Sequence, residues 1–338
     1  MAQGNWYSCI SEVAGDVAFW AEQDRDGERT MAAEKTTAEP DRLSCKGITL
    51  TNPDRVLYPS IGLTKQDLAA YDAEVSAAML PYVQRRPISL VRCPAGLGGP
   101  RFFQRHATKG MSAAIKEVEV PGGGTDRPYL YIEDPGGLIA LTQIGTLEIH
   151  DWGVSIDSLE TPDRLVFDLD PDEALGFEVL RLAAQQVRDF LLELDLTSFL
   201  KATGGKGLHV VAPLRPKAGW DDVKKFARAV AEALVADAPD RYTANPLKRT
   251  RTGKIFVDYL RNAPGNSAIS CYSPRAKPGA PVATPLRWDE LGNLKSGAPY
   301  TVKTLPARLS RLKSDPWEDY FKRSQSITAR ACRLLGLT

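Results

Sequence analysis

The sequence predicts an α+β protein organised around a split βαβ unit, and three stretches predict it. Residues 164–171 read Arg-Leu-Val-Phe-Asp-Leu-Asp-Pro, an alternation that suits a β-strand because successive side chains leave on opposite faces. Phe177, Leu180, Ala184, Val187, Leu191 and Leu194 then recur at helical spacing, so a long helix follows. Apolar runs on both sides of Gly204-Gly205-Lys206-Gly207 predict a hairpin over 197–214. A helix near 221–237 and a strand around Asp258 complete the order β-α-β-β-α-β.

The remaining segments follow from punctuation. From Leu50 an extended Asn-Pro-Asp stretch leads to Pro59, and Thr64 caps a helix whose apolar positions are Leu68, Tyr71, Val75 and Met79, with Pro81 just past them. Short strands and turns are expected over 86–160, and a Pro-rich connection over 278–306 leads into a C-terminal tail (301–338). Residues 1–45 have weak periodicity and no clear caps, which reads as an acidic, partly disordered extension; residues 1–42 hold nine acids against four bases.

Composition fits an enzyme with one large or two smaller cores, at 338 residues and 43% hydrophobic. No apolar run is long enough to span a bilayer and the start carries no signal pattern, so a cytosolic protein is expected. The five cysteines are scattered without a C-x-x-C pair, which predicts reduced, mostly buried thiols and no zinc. A net charge of +1 hides an uneven distribution: residues 85–109 hold six bases and no acid, and residues 245–278 hold seven bases around the single acid Asp258. Basic stretches beside a group of acids suit an enzyme that binds phosphates near a metal, although charge runs are also ordinary solvated faces.

On the predicted 164–171 strand, Asp168 and Asp170 share one face with Val166, opposite Leu165, Phe167 and Leu169. Two acids on one face repel and lose hydration, and Mg²⁺ or Mn²⁺ would offset both through hard oxygen ligands. The plain alternative is a strand running into a solvated acidic turn closed by Pro171. The glycine-rich hairpin tip offers backbone N–H groups and the Lys206 charge to an anion, or is simply a turn. It is not a Walker A loop, since Leu200 and Gly207 occupy the places of that motif's first glycine and its Ser or Thr. His209, two residues past Gly207, would face the same side. Asp258 lies within the apolar run Lys254–Asn262, costly to bury unless paired or metal-bound, and so is expected to complete a three-carboxylate cluster.

Together, Phe167-Asp168-Leu169-Asp170-Pro171, Gly204-Gly205-Lys206-Gly207-Leu208-His209 and Asp258-Tyr259-Leu260-Arg261-Asn262 resemble the motifs of the archaeo-eukaryotic primase-polymerases. More narrowly, they are similar to the polymerase domain of bacterial ligase D. Leu50–Pro59, Arg86–Arg92, Phe102–His106, Leu147–His150 and Asp315-Pro316-Trp317 match further segments in family order, so the resemblance covers about 46–322. Thr203 stands where the family usually has Ser, and Asp151 where Pro is common. The resemblance implies an RRM-like catalytic module (about 161–300) packed with an N-terminal mixed α/β module (about 46–160).

It also implies a template-dependent nucleotidyltransferase that fills short gaps or processes broken ends in DNA repair. Ribonucleotides would be preferred, and two Mn²⁺ or Mg²⁺ ions would be held by Asp168, Asp170 and Asp258. Thr203, Gly205, Lys206, His209, Arg251, Arg261 and Arg275 match positions around the triphosphate of an NTP or dNTP, and His150 matches a sugar-side histidine. For His106 a hydrogen-bonded structural imidazole is expected instead. Arg55 and Lys65 match positions that grip a DNA 5′-phosphate, and Lys65 follows the cap Thr64, where helix amides favour an anion. Of Phe102 and Phe103, one is expected in the core and one, Phe103, stacked on a template base. A primase and a non-catalytic DNA end-binding module are the alternatives; the intact aspartates argue against the latter. A chain ending near 338 leaves no room for ligase or nuclease domains, which favours a stand-alone enzyme working with a separate DNA ligase and a Ku-like end-binding protein.

Overall fold

The computed structural model describes residues 42–337. Most of the expected acidic extension therefore lies outside the described residues. Its last four residues do not extend it but form strand β1 (Arg42–Cys45), paired with β2 (Ile48–Thr51), while β3 (Val56–Tyr58) pairs β4 (Leu63–Thr64). Helix α1 (Lys65–Val83) starts where expected: Thr64 Oγ1 accepts from the Asp67 N–H and the Asp67 carboxylate accepts from the Thr64 N–H. Pro81 lies inside the last turn rather than past it, because its missing N–H forfeits one backbone bond and the chain can still turn on to Val83.

Strands β5 (Ile88–Arg92), β6 (Phe102–Gln104), β7 (Lys116–Val118) and β8 (Tyr129–Tyr131) build the N-terminal sheet. The next element, α2 (Pro135–Gln143), is a helix where the sequence reading had only strands and turns. Its Pro-Gly-Gly opening has poor helix propensity. The Asp134 side chain starts it by accepting the Gly137 N–H at 2.9 Å, with Pro135 in the first turn. Gly137 is required by packing, since a Cβ there would lie 2.7 Å from Ile132 Cβ. Strand β9 (Thr146–Asp151) follows, antiparallel to β5.

The second half is the predicted split βαβ unit. It runs β10 (Arg164–Pro171), α3 (Phe177–Glu193), β11 (Phe199–Ala202), β12 (Leu208–Pro213), α4 (Trp220–Asp237), β13 (Tyr242–Thr243) and β14 (Ile255–Asp258). The central strands lie in the order β14-β10-β12-β11, each antiparallel to its neighbour. The chain then crosses to the N-terminal sheet, where β15 (Ala268–Ile269) pairs β9. It returns as β16 (Thr284–Leu286), an edge strand on β11 inside the Pro-rich connection. Pro285 hides this strand from a sequence reading but is tolerated at a sheet edge.

Both faces of the catalytic sheet are used. Leu165, Phe167 and Leu169 pack with Leu180, Val187 and Leu191 of α3 and with Val223, Phe226 and Val230 of α4. On the opposite face Val166 joins the N-terminal core, together with Cys271, Tyr272, Trp317 and Tyr320. The tail carries α5 (Leu305–Leu309) and α6 (Ala329–Leu334), and between them Trp317 Nε1 donates to the Leu200 carbonyl at 2.8 Å. Cys45, Cys93 and Cys271 are buried thiols and Cys332 is half-buried, while Cys9 lies outside the described residues. Among the described residues no helix is long and apolar enough to cross a membrane.

Candidate active site

A cleft of about 390 Å³ opens between the two sheets, with Asp168, Asp170, Lys206 and His209 on one wall and His150 and Arg275 on the other. The strand register assembles it. Asp168 lies opposite His209 on β12 and opposite Asp258 on β14, so period-two alternation puts all three side chains on one face. His209 Nε2 is 3.3 Å from Asp168 Oδ1. Arg261, three residues past Asp258 at the end of β14, places one guanidinium nitrogen 3.2 Å from Asp168 Oδ2 and 3.1 Å from Asp258 Oδ2.

Burial opposes ionisation of Asp168, but His209 and Arg261 outweigh it and hold this carboxyl below the usual carboxylate range. Burial pushes the His209 imidazole down to about 4, against the pull of Asp168. For Asp170, burial and then the Asp168 charge raise the pKa, and for Asp258 burial does the same. Lys206, Arg261 and Arg251 offset the burial and the repulsion at Asp170 only in part. Both Oδ1 atoms converge on Gly207, whose hypothetical Cβ would sit 3.5 Å from Asp168 Oδ1 and 3.6 Å from Asp170 Oδ1. This donor set suits a hard divalent cation. Asp258 is set apart from the pair: Arg261 stands between Asp168 and Asp258, and among the described residues no three His, Cys, Asp or Glu side chains are grouped as a metal site, so the expected three-carboxylate cluster is not drawn together here.

The glycine-rich tip is braced from inside. Thr203 Oγ1 donates to the Gly207 carbonyl at 2.9 Å and accepts from the Gly205 N–H, so its hydroxyl holds the loop. Gly207 is required by close approach, since a Cβ would meet the Leu169 carbonyl at 2.7 Å. Lys206 Nζ donates to the Pro171 carbonyl at 2.9 Å, beside the aspartates. Arg275 Nη1 donates to the Thr203 carbonyl at 2.7 Å. Arg251 is not among the cleft-lining residues; it stacks on Phe256 at 3.8 Å and lies 3.8 Å from Asp170 Oδ2.

Two residues escaped the sequence reading. Lys277 lines the cleft, carried there by a tight turn in which its N–H donates to the Arg275 carbonyl at 2.7 Å, and no periodicity in the sequence signals it. Glu148, two residues before His150 on β9, contacts both His150 and Arg275.

Elsewhere, Arg55 and Lys65 are neighbours at the start of α1. The Lys65 ammonium is buried and donates to the Thr51 and Gln143 carbonyls at 2.8 and 3.2 Å, whereas Arg55 is exposed and donates to the Pro94 carbonyl at 3.0 Å. Phe102 and Phe103 correct an expectation: both are exposed, at 52% and 58%, because β6 is a short strand paired only with β5 and presents no face to the core. His106 is the structural imidazole expected, with Nδ1 2.8 Å from the Pro128 carbonyl.

Aspartates on a split βαβ sheet, set beside a cationic glycine-rich loop, define a nucleotidyltransferase site of the polymerase type. The chain belongs to the LigD primase-polymerase domain family, whose model matches residues 64–317, a family of metal-dependent nucleotidyltransferases. It is 40% identical over 305 residues to the multifunctional non-homologous end joining protein LigD of Pseudomonas aeruginosa, covering 90% of this chain and 36% of that protein. The bifunctional LigD of Bacillus subtilis is 28% identical over 262 residues, covering 77% of this chain and 42% of that one. The chain thus spans well under half the length of these relatives. Among solved structures, the polymerase domain of Mycobacterium tuberculosis ligase D in complex with DNA matches with a TM-score of 0.75 and 31% identity, covering 82% of this chain and 99% of that one.

Proposed function

We propose that this chain is a template-dependent polymerase of end-joining DNA repair that fills short gaps or extends broken ends, preferring ribonucleotides. The observation that carries this reading is the meeting of Asp168 and Asp170 with Lys206, Arg275 and Lys277 in one cleft. The acids suit divalent ions and the cations suit a triphosphate of about four negative charges. Asp168 and Asp170 would hold Mg²⁺ or Mn²⁺, with Asp258 joining them. Such ions would stabilise charge on the attacking and leaving oxygens of an in-line displacement.

The chain's own groups divide the remaining work. Lys206, Arg275 and Lys277 bind and orient the triphosphate, with the Lys206 amide at the loop tip and Gly205 leaving room beside it. His209 supports Asp168 through the 3.3 Å contact of its Nε2 with the carboxylate. The DNA-bound structural neighbour and the end-joining relatives support the choice of substrate and pathway, and partnership with a separate DNA ligase and a Ku-like end-binding protein belongs to the same reading.

Primer extension on gapped, nicked and broken-end DNA bearing a 5′-phosphate, with NTPs and dNTPs in parallel, tests it. Templated addition with an NTP preference is expected. Efficient dinucleotide synthesis on primer-free single strands would make the enzyme a primase instead, and no addition on any substrate would defeat the reading.

A further inference from the structure

Glu148 touches two residues of one cleft wall at once. It is buried, and period-two alternation on β9 puts it on the same face as His150. Its Oε2 lies 2.8 Å from His150 Nε2, its Oε1 lies 3.1 Å from Arg275 Nε, and Oε1 also accepts the Ala276 N–H at 2.8 Å. Burial works against a carboxylate here, but the His150 hydrogen bond and the Arg275 charge hold Glu148 at about 2, so it is an ionised acceptor. An acceptor can pair with a ring nitrogen only if that nitrogen carries its proton. Among the described residues no protein group bonds His150 Nδ1, and the ring lines the cleft.

We propose that Glu148 is a positioning residue of the nucleotide site: it takes the His150 Nε2–H, leaving Nδ1 as an acceptor for a ribose hydroxyl, and it anchors Arg275 toward the triphosphate. Phosphate oxygens are acceptors at neutral pH and cannot pair with an acceptor nitrogen. A sugar hydroxyl can, because it donates its own proton. The same carboxylate therefore couples recognition of the sugar to recognition of the phosphates, and a sugar lacking the hydroxyl leaves Nδ1 unpaired. This rests on the polymerase reading for the identity of the ligand. Its test uses binding, so that the two fail separately.

Equilibrium binding of ATP, 2′-deoxy-ATP and 3′-deoxy-ATP is compared in wild type, Glu148→Gln, His150→Ala and the double variant. Wild type should favour ATP over one deoxy analogue by about tenfold, the worth of one hydrogen bond to a poised acceptor. Which analogue loses identifies the hydroxyl. Glu148→Gln should cut that ratio at least threefold and weaken all three nucleotides through Arg275. The double variant should show the His150→Ala ratio and no further loss of it. An unchanged ratio and affinity in Glu148→Gln, or ratio losses that simply add, would overturn the proposal.

Nitrogen-15 NMR of His150 in the wild-type protein needs no variant to fold. A proton on Nε2 alone is expected, and one on Nδ1, in its place or beside it, overturns the assignment. Primer extension that fails while these ratios hold would defeat the polymerase reading and leave this one standing.

Discussion

Asp168 on β10 stands directly opposite Asp258 on β14, and a single guanidinium nitrogen of Arg261 reaches both carboxylates, at 3.2 and 3.1 Å. Two like charges held together by a sheet register cannot separate, so a cation between them is a structural necessity as well as a chemical resource. In this protein the cation is supplied by the residue three positions beyond Asp258.

Replacing Arg261 with Met should therefore destabilise the protein when divalent ions are absent. The loss should be about 1–2 kcal/mol, kept modest because about a third of the Arg261 side chain meets solvent. Added Mn²⁺ should raise the unfolding temperature of the variant more than that of wild type. Equal responses to Mn²⁺ would show that the guanidinium and the metal do not share these carboxylates.

The catalytic sheet was legible in the sequence because its side chains alternate cleanly. Leu165, Phe167 and Leu169 could only face the helices, which left Asp168 and Asp170 together on the other side. Register was not legible, since nothing in the Lys254–Asn262 run says that Asp258 lies opposite Asp168 rather than one pair away. The α2 helix was hidden by Gly136 and Gly137, whose small size serves packing, and β16 by Pro285. Glu148 was missed because its role depends on Arg275, far away in sequence and brought near by the β9–β15 pairing.

Phe102 and Phe103 form an exposed aromatic pair on a strand flanked by bases, with the Arg105 guanidinium 5.0 Å from the Phe103 ring. Truncating both to Ala should weaken binding of DNA with a single-stranded overhang by about 1–3 kcal/mol per stacked base. Binding of blunt duplex should change little. Fluorescence anisotropy on the two DNAs decides it, and equal losses would assign the rings to general surface contact.

Arg55 and Lys65 should separate by phenotype. Lys65→Ala removes a buried ammonium and strands the Thr51 and Gln143 carbonyls, so it should lower stability by about 1–3 kcal/mol. Arg55→Ala should leave stability unchanged and weaken gapped DNA carrying a 5′-phosphate by about tenfold, sparing the same DNA with a 5′-hydroxyl. Titrations at fixed salt make the comparison, because general backbone attraction then cancels. Equal losses on both DNAs would remove Arg55 from any phosphate site.

Asp72 gives a pH dependence remote from the cleft. Burial raises its pKa to about 7, against the Thr142 hydroxyl that donates to it. A carboxyl raised on folding stabilises the native state fully below its unfolded pKa, near 4, and that stability is lost as pH rises through about 7. Asp72→Asn, which still accepts from Thr142, should flatten the profile and make the protein more stable than wild type at pH 8, by up to about 4 kcal/mol. Denaturant unfolding at pH 4 and pH 8 measures it, and a wild-type slope in the variant would show that Asp72 is not the titrating group.

Asp168 and Asp170, the acids of β10, carry the proposed chemistry most directly. Templated nucleotide addition by Asp168→Asn and Asp170→Asn should be measured beside their affinity for the same gapped DNA. The asparagines keep size and hydrogen-bonding capacity but remove the charge that a metal and a triphosphate site require. Addition should fall by at least a thousandfold while DNA affinity stays within about threefold of wild type, because phosphate contacts made by basic residues carry most of the binding. Substantial Mn²⁺-dependent extension by either variant would contradict the assignment of the chemistry to these carboxylates.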